Sequence, residues 1–207
     1  MLEATPLPPS AGQRGPADHA IREQIVKAAS DHFRHYGYAK TTVADLAKAI
    51  GFSKAYIYKF FQSKQAIGEA IAVDCIGAII GAAKVEVDQA SSATEKLRRL
   101  FRTLTAKSLE LLFEDNKLYD LVTCSVAERW TVDQNYKDGI TSVLQQIILE
   151  GRESGEFERK TPIDETCRAI VLAMQPFIHP VALEFNLENL SDASTELTNL
   201  ILRSLAP

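Results

Sequence analysis

TTVADLAKAIGFSKAYIYKFFQSK, residues 41–64, reads as two short helices joined at a glycine corner. Thr42 is placed to cap the first helix, with Asp45 three residues on to answer it, and Val43, Leu46, Ala47 and Ile50 form its inward face. Gly51 breaks the run and accepts the positive φ that a corner needs. Ser53 caps a second helix, whose apolar members Ile57, Phe60 and Phe61 fall on a face different from Lys54, Tyr56 and Lys59. Ala47, Gly51 and Ile57 act together: a small residue permits close approach, glycine turns the chain, and a branched residue locks the second helix onto the first. The pattern predicts a helix-turn-helix whose second helix turns lysine and tyrosine toward a DNA groove.

Entered through IREQIVKAASDHFRHYGYAKTTV, residues 21–43, this block resembles the DNA-binding domain of the TetR family of bacterial transcriptional regulators over residues 21–70. The resemblance implies an all-α homodimer whose first three helices bind operator DNA, while the remaining helices form a dimerising, ligand-binding body. The family motif often reads L-Y-H-Y-F. Here it reads Ile57-Tyr58-Lys59-Phe60-Phe61, so Tyr58 keeps its place, whereas Phe60 cannot donate to a phosphate and Lys59 is left to compensate by charge. The expected organisation is a flexible leader over residues 1–17, a helix-turn-helix domain over 18–64, and an effector-binding and dimerisation domain over 65–207.

The formal net charge of −4 suits a nucleic-acid binder only when divided. Residues 1–64 hold nine Lys/Arg against five Asp/Glu, giving +4, and the rest holds 14 against 22, giving −8. One end thus carries the field that attracts phosphates, and an acidic body resists non-specific adhesion. Cys75, Cys124 and Cys167 are widely spaced without a C-x-x-C pair, which suits a reducing cytoplasm and no thiolate metal site. The nearly apolar stretch Ala70 to Ala83 is interrupted by Asp74 and is shorter than the roughly 20 residues of a bilayer span, so no membrane segment is expected. Prolines 6, 8, 9 and 16 with Gly12 and Gly15 mark the leader, in which Arg14 suits an unstructured surface charge better than a groove-reaching arm.

Helical periodicity predicts a first helix from about Ala17 to Tyr36, ended by Gly37, and a fourth from Lys64 to about Gln89, capped by Ser63 and buried on several sides in its first half. Gly77 and Gly81 form a G-x-x-x-G pair that suits a helix passing close by. Further helices are expected from residues 91–94, from about Lys117 to Arg129, and from Asp133 to a stop at Gly155. Another starts at Thr161-Pro162, with the threonine as N-cap and the proline at the first helical position, and is kinked or split by Pro176 and Pro180, and a last one spans about Ser191 to Leu205. No strand alternation is visible, and the reading is all-α.

The DNA-contacting candidates are Thr41, Thr42, Ser53, Lys54, Ala55, Tyr56, Tyr58, Lys59 and Lys64. Lys54, Ala55, Tyr56 and Lys59 sit where recognition-helix residues reach base edges, and Tyr58 and Lys64 suit phosphates. Tyr56, Tyr58 and Phe60 also suit the packing of a small three-helix domain. By resemblance the last two helices pair with their copies, for which Ile170, Leu172, Ala173, Leu197, Leu200 and Ile201 are apolar candidates, and core packing within one chain explains the same residues equally well. Phe101, Phe113, Tyr119, Trp130, Tyr136, Met174, Phe177 and His179 are candidates for an effector pocket, although aromatic residues at helical spacing suit plain core packing better. His32 and His35 lack a third ligand, so no metal is expected, nor any cofactor. The absence of H-E-x-x-H, G-x-S-x-G and P-loop patterns argues against an enzyme. The expected function is that of a ligand-responsive regulator, a repressor released from its operator by a small hydrophobic effector. A DNA-binding or protein-interaction module without an effector is the alternative.

Overall fold

The computed structural model describes residues 16–207. The expectations for the leader over residues 1–15, Arg14 included, lie outside the described residues. Among those described there is no strand, and the chain runs α1 Pro16–Tyr36, α2 Val43–Ile50, α3 Lys54–Ile57, α4 Lys64–Asp88, α5 Ala93–Glu114 and α6 Asn116–Ala127. It continues through α7 Val132–Ser154, α8 Ile163–Ile178, α9 Pro180–Leu183, a 3₁₀ segment Glu184–Asn189 and α10 Leu190–Ser204.

The first three helices close on Ile25, Ala29, Phe33, Leu46, Ile57 and Phe61, all buried. Thr42 and Asp45 form the reciprocal capping box of α2, and Gly51 ends that helix at φ 78°. Ser53 accepts from the Tyr56 N–H and Ser63 from the Ala66 N–H, so both expected caps are in place. Gly37 follows α1 in the left-handed region, φ 84°.

In the body, α4 lies along α5 and α7, burying Ile67, Ile71, Ile76, Ile79, Ala83 and Val87. With 25 residues and a mean hydropathy of 1.8 over its most apolar window, α4 has the length and composition of a membrane span, contrary to the sequence expectation. Its buried face is nevertheless committed to the protein core. The helix is also less enclosed than expected, because Val73, Gly77, Gly81 and Val85 are exposed. A Cβ at Gly77 or Gly81 would meet nothing within 4 Å, so the anticipated close helix passage is not there. Close approach occurs at other glycines: a Cβ on Gly139 would lie 2.5 Å from Ile80 Cδ1, and one on Gly68 would strike Tyr38 and Trp130.

Pro162, not Thr161, is the N-cap of α8, and no side chain caps it. Pro176 is accommodated inside α8, whereas Pro180 opens α9, so only the second proline divides the segment. The N-terminus of α5 is capped from a distance: the Glu156 carboxylate accepts from the Ala93 and Thr94 N–H groups, both at 3.0 Å. On the outer side of α5, Lys96, Arg98 and Arg99 reach Glu150, Asn199 and Glu95.

Candidate nucleic-acid interface

The helix-turn-helix displays most of its candidate contacts. Thr42, Ser53, Lys54, Ala55, Tyr58 and Lys59 are exposed, and Tyr56 is half-buried. The Thr42 hydroxyl and backbone N–H donate to Asp45 Oδ2 at 2.7 and 2.9 Å, and these bonds hold the Asp45 carboxyl below its usual range. Tyr56 stands between Phe52 and Phe60, with ring centroids at 5.0 and 5.4 Å, and the Lys59 ammonium is 5.5 Å from its ring. Lys54 lies 5.8 Å from the Tyr58 ring. The outward face of α3 and its following turn is therefore aromatic and cationic, and its lysines are held over rings.

Two candidates point inward. Thr41 is buried, its hydroxyl donating to the Gly37 carbonyl at 2.8 Å, which closes the α1–α2 turn. Lys64 is half-buried and donates to the Tyr38 carbonyl at 3.0 Å, with its ammonium 4.2 Å over the Tyr38 ring. The structure also brings in a residue that sequence reasoning missed. Arg22 of α1 donates to the Phe60 carbonyl at 2.9 Å and lies 4.0 Å over the Phe61 ring, satisfying a carbonyl just beyond the recognition helix. No local pattern signals this bond, because its partners are 38 residues apart.

The eight body candidates occupy different settings. Phe101 and Met174 are fully buried, Phe177 is half-buried and Phe113 is exposed. Tyr136, Tyr119 and His179 present polar tips: the Tyr136 hydroxyl donates to the Ile178 carbonyl at 2.9 Å, that of Tyr119 to Glu184 at 3.1 Å, and His179 Nε2 sits 2.9 Å from Asp133. Burial pushes the Tyr136 phenol up to about 12. Trp130 is buried against the head. A groove of about 950 Å³ opens between α1, α4 and the α5–α6 corner over Ile71, Ala78, Ile79 and Leu111, and none of these eight lines it. His32 and His35 each lie against Tyr36, at 4.5 and 4.4 Å between centroids.

A cationic helix-turn-helix head on an all-helical body defines a DNA-binding regulator. Residues 25–71 match the family of bacterial regulatory proteins, tetR family, and residues 93–197 match the tetracyclin repressor-like C-terminal domain. The chain belongs to the TetR family. It is similar to the HTH-type transcriptional repressor KstR2 of Mycolicibacterium smegmatis, at 26% identity over 157 residues, covering 72% of this chain and 73% of that protein. Its fold is similar to that of the fatty acid degradation regulator FadR from Bacillus halodurans, with a TM-score of 0.64 at 20% identity over 92% of this chain and 97% of that one. FadR from Bacillus subtilis, in complex with stearoyl-CoA, gives 0.63 at 21% identity over 88% of this chain and 98% of that one.

Proposed function

We propose that the protein is a ligand-responsive repressor: a homodimer that holds operator DNA and leaves it when a small hydrophobic or amphipathic effector binds the body. The observation that carries this reading is the face of α3, where Lys54, Tyr58 and Lys59 stand exposed on a head of charge +4 joined to a body of charge −8. Lys54, Ala55, Tyr56 and Lys59 reach base edges, while Thr42, Ser53 and Tyr58 hold phosphates beside the helix starts. Thr41 and Lys64 serve the same interface from behind, by bracing the α1–α2 turn.

One head covers one half-site, so useful affinity requires two heads about one DNA turn, ~34 Å, apart. The α8 and α10 surfaces suit that pairing: Leu172 and Leu200 are exposed at 60% and 55%, whereas Ile170 and Ile201 are already spent in the protomer core. An effector pocket would form by opening the core around Tyr119, Tyr136 and His179, with Phe101, Met174 and Phe177 supplying apolar surface, and Trp130, packed against Tyr38, and the exposed Phe113 would border it. An acyl ligand has a precedent in the stearoyl-CoA bound by FadR of Bacillus subtilis. The cytoplasm, where the DNA is, is the place of action.

A regulator of this fold without an effector is the second reading, favoured by the complete burial of Phe101 and Met174. Gel shifts on the DNA upstream of the protein's own coding sequence, repeated across a panel of acyl and other hydrophobic compounds, test the proposal. Specific binding relieved by a compound that also raises the melting temperature is the expected result. Binding indifferent to every compound leaves the second reading, and no specific binding rejects both.

A further inference from the structure

Arg129 is, among the described residues, the only non-glycine in the left-handed region, at φ 57°. It ends α6 in a Schellman turn, with Trp130 N–H donating to the Ser125 carbonyl at 2.8 Å and Arg129 N–H to that of Val126 at 3.1 Å. The turn swings Trp130, the single tryptophan of the chain, out of the body and against the head. Its indole is buried, its N–H donates to Glu128 at 3.0 Å, and its ring meets Tyr38 edge-on at 5.7 Å between centroids.

Tyr38 is held from the other side. The Lys64 ammonium covers its face, Phe33 meets it edge-on at 5.3 Å, and α4 approaches through Gly68. A Cβ at Gly68 would lie 2.9 Å from Tyr38 Cε2 and 3.0 Å from Trp130 Cη2, so α4 is in contact with both rings at once. Three segments therefore meet at one point: the α1–α2 turn of the head, the first turns of α4, and the α6–α7 corner of the body. Tyr38 stands four residues before the Thr42 cap that starts the helix-turn-helix.

We propose that Trp130 is a positioning residue for DNA reading: it presses Tyr38 against Gly68 and Lys64 and thereby fixes the angle at which the body holds the head. Edge-to-face ring contacts are directional, and a close-packed junction moves between discrete arrangements. A shift of the α6–α7 corner is thus delivered to the α1–α2 turn without passing through the whole of α4. The inference rests on the dimeric reading above, because head angle matters only when two heads must match two half-sites.

The test compares full-length wild type, Trp130→Phe, Trp130→Ala and Gly68→Ala on operator duplexes whose two half-sites are one base pair closer or further apart. Wild type and Trp130→Phe are expected to prefer the native spacing by about tenfold, whereas Trp130→Ala and Gly68→Ala fall to about threefold or less with half-site sequence preference unchanged. Gly68→Ala wedges the same contact while favouring helix, so it carries the test even where Trp130→Ala does not fold. Undiminished spacing preference in Gly68→Ala overturns the proposal. So does a loss of affinity that is equal at every spacing and tracks the melting temperature, as a purely structural role requires.

Amide exchange on the free protein separates this inference from the reading beneath it. If wild type binds no duplex, the regulator reading fails, and the positioning contact still predicts exchange about tenfold faster over residues 37–43 in Gly68→Ala with residues 53–61 unaltered. Equal exchange over 37–43 in variant and wild type rejects the contact as a constraint on the head.

Discussion

The Arg22 guanidinium donates to the Phe60 carbonyl at 2.9 Å while lying 4.0 Å above the Phe61 ring, so α1 grips the chain just beyond the recognition helix. A carbonyl left there without a donor would loosen the turn that leads from α3 into α4. Arg22→Gln is therefore expected to lower stability by about 1–2 kcal/mol and to weaken every operator alike. The slope of log K against log salt should stay at its wild-type value, because the side chain serves the helix and not a phosphate. A slope shallower by about one unit would show that Arg22 is itself a phosphate ligand.

Lys54 and Lys64 should separate in the same measurement. Lys54 is exposed on the outer face, its ammonium over the Tyr58 ring, and Lys54→Ala is expected to cost about 1–3 kcal/mol of discrimination at one base position. Lys64 is bound to the Tyr38 carbonyl, so Lys64→Ala should reduce affinity with an unchanged salt slope. A slope flatter by about one unit would mean that this ammonium leaves Tyr38 for DNA, as the sequence alone suggested.

The left-handed Arg129 makes an opposite prediction. Glycine adopts φ near +57° without the Cβ clash that an L residue suffers, so Arg129→Gly should stabilise the protein by about 1 kcal/mol. Denaturant melts read the gain as a higher midpoint at constant slope. A lower midpoint would show that the Arg129 side chain contributes more than its backbone costs.

Glu156 gives the fold a pH dependence. Its carboxylate accepts two N–H groups at the start of α5, and those bonds hold its pKa below the ordinary 4.5. The stabilisation is present above pH 4.5 and is lost as pH falls through the lower folded value. Glu156→Gln should thus melt below wild type at pH 7, and the two curves should converge in acid. A gap independent of pH would assign the effect to packing instead of charge.

The features legible in the sequence are those set by a few consecutive residues. Thr42 with Asp45, Gly51, Ser53 and Ser63 fix caps and corners locally, and each is found where its spacing placed it. The TetR resemblance, carried by the same block, is matched by family similarity over residues 25–71 and 93–197. What escaped is tertiary. The bond from Arg22 spans 38 residues and the Glu156 cap spans 63, so no window of sequence contains either. Gly77 and Gly81 had the spacing of a packing motif but face open space, while Gly68 and Gly139 make the close approaches without one. A glycine pair states what could approach, and only the fold decides what does.

The most direct measurement is the binding of the purified full-length chain to its upstream DNA, followed by anisotropy across a salt series and by footprinting. The account predicts a dimer that protects two symmetric half-sites about one turn apart, with log K falling linearly as log salt rises. A monomer indifferent to every duplex at low ionic strength would contradict it.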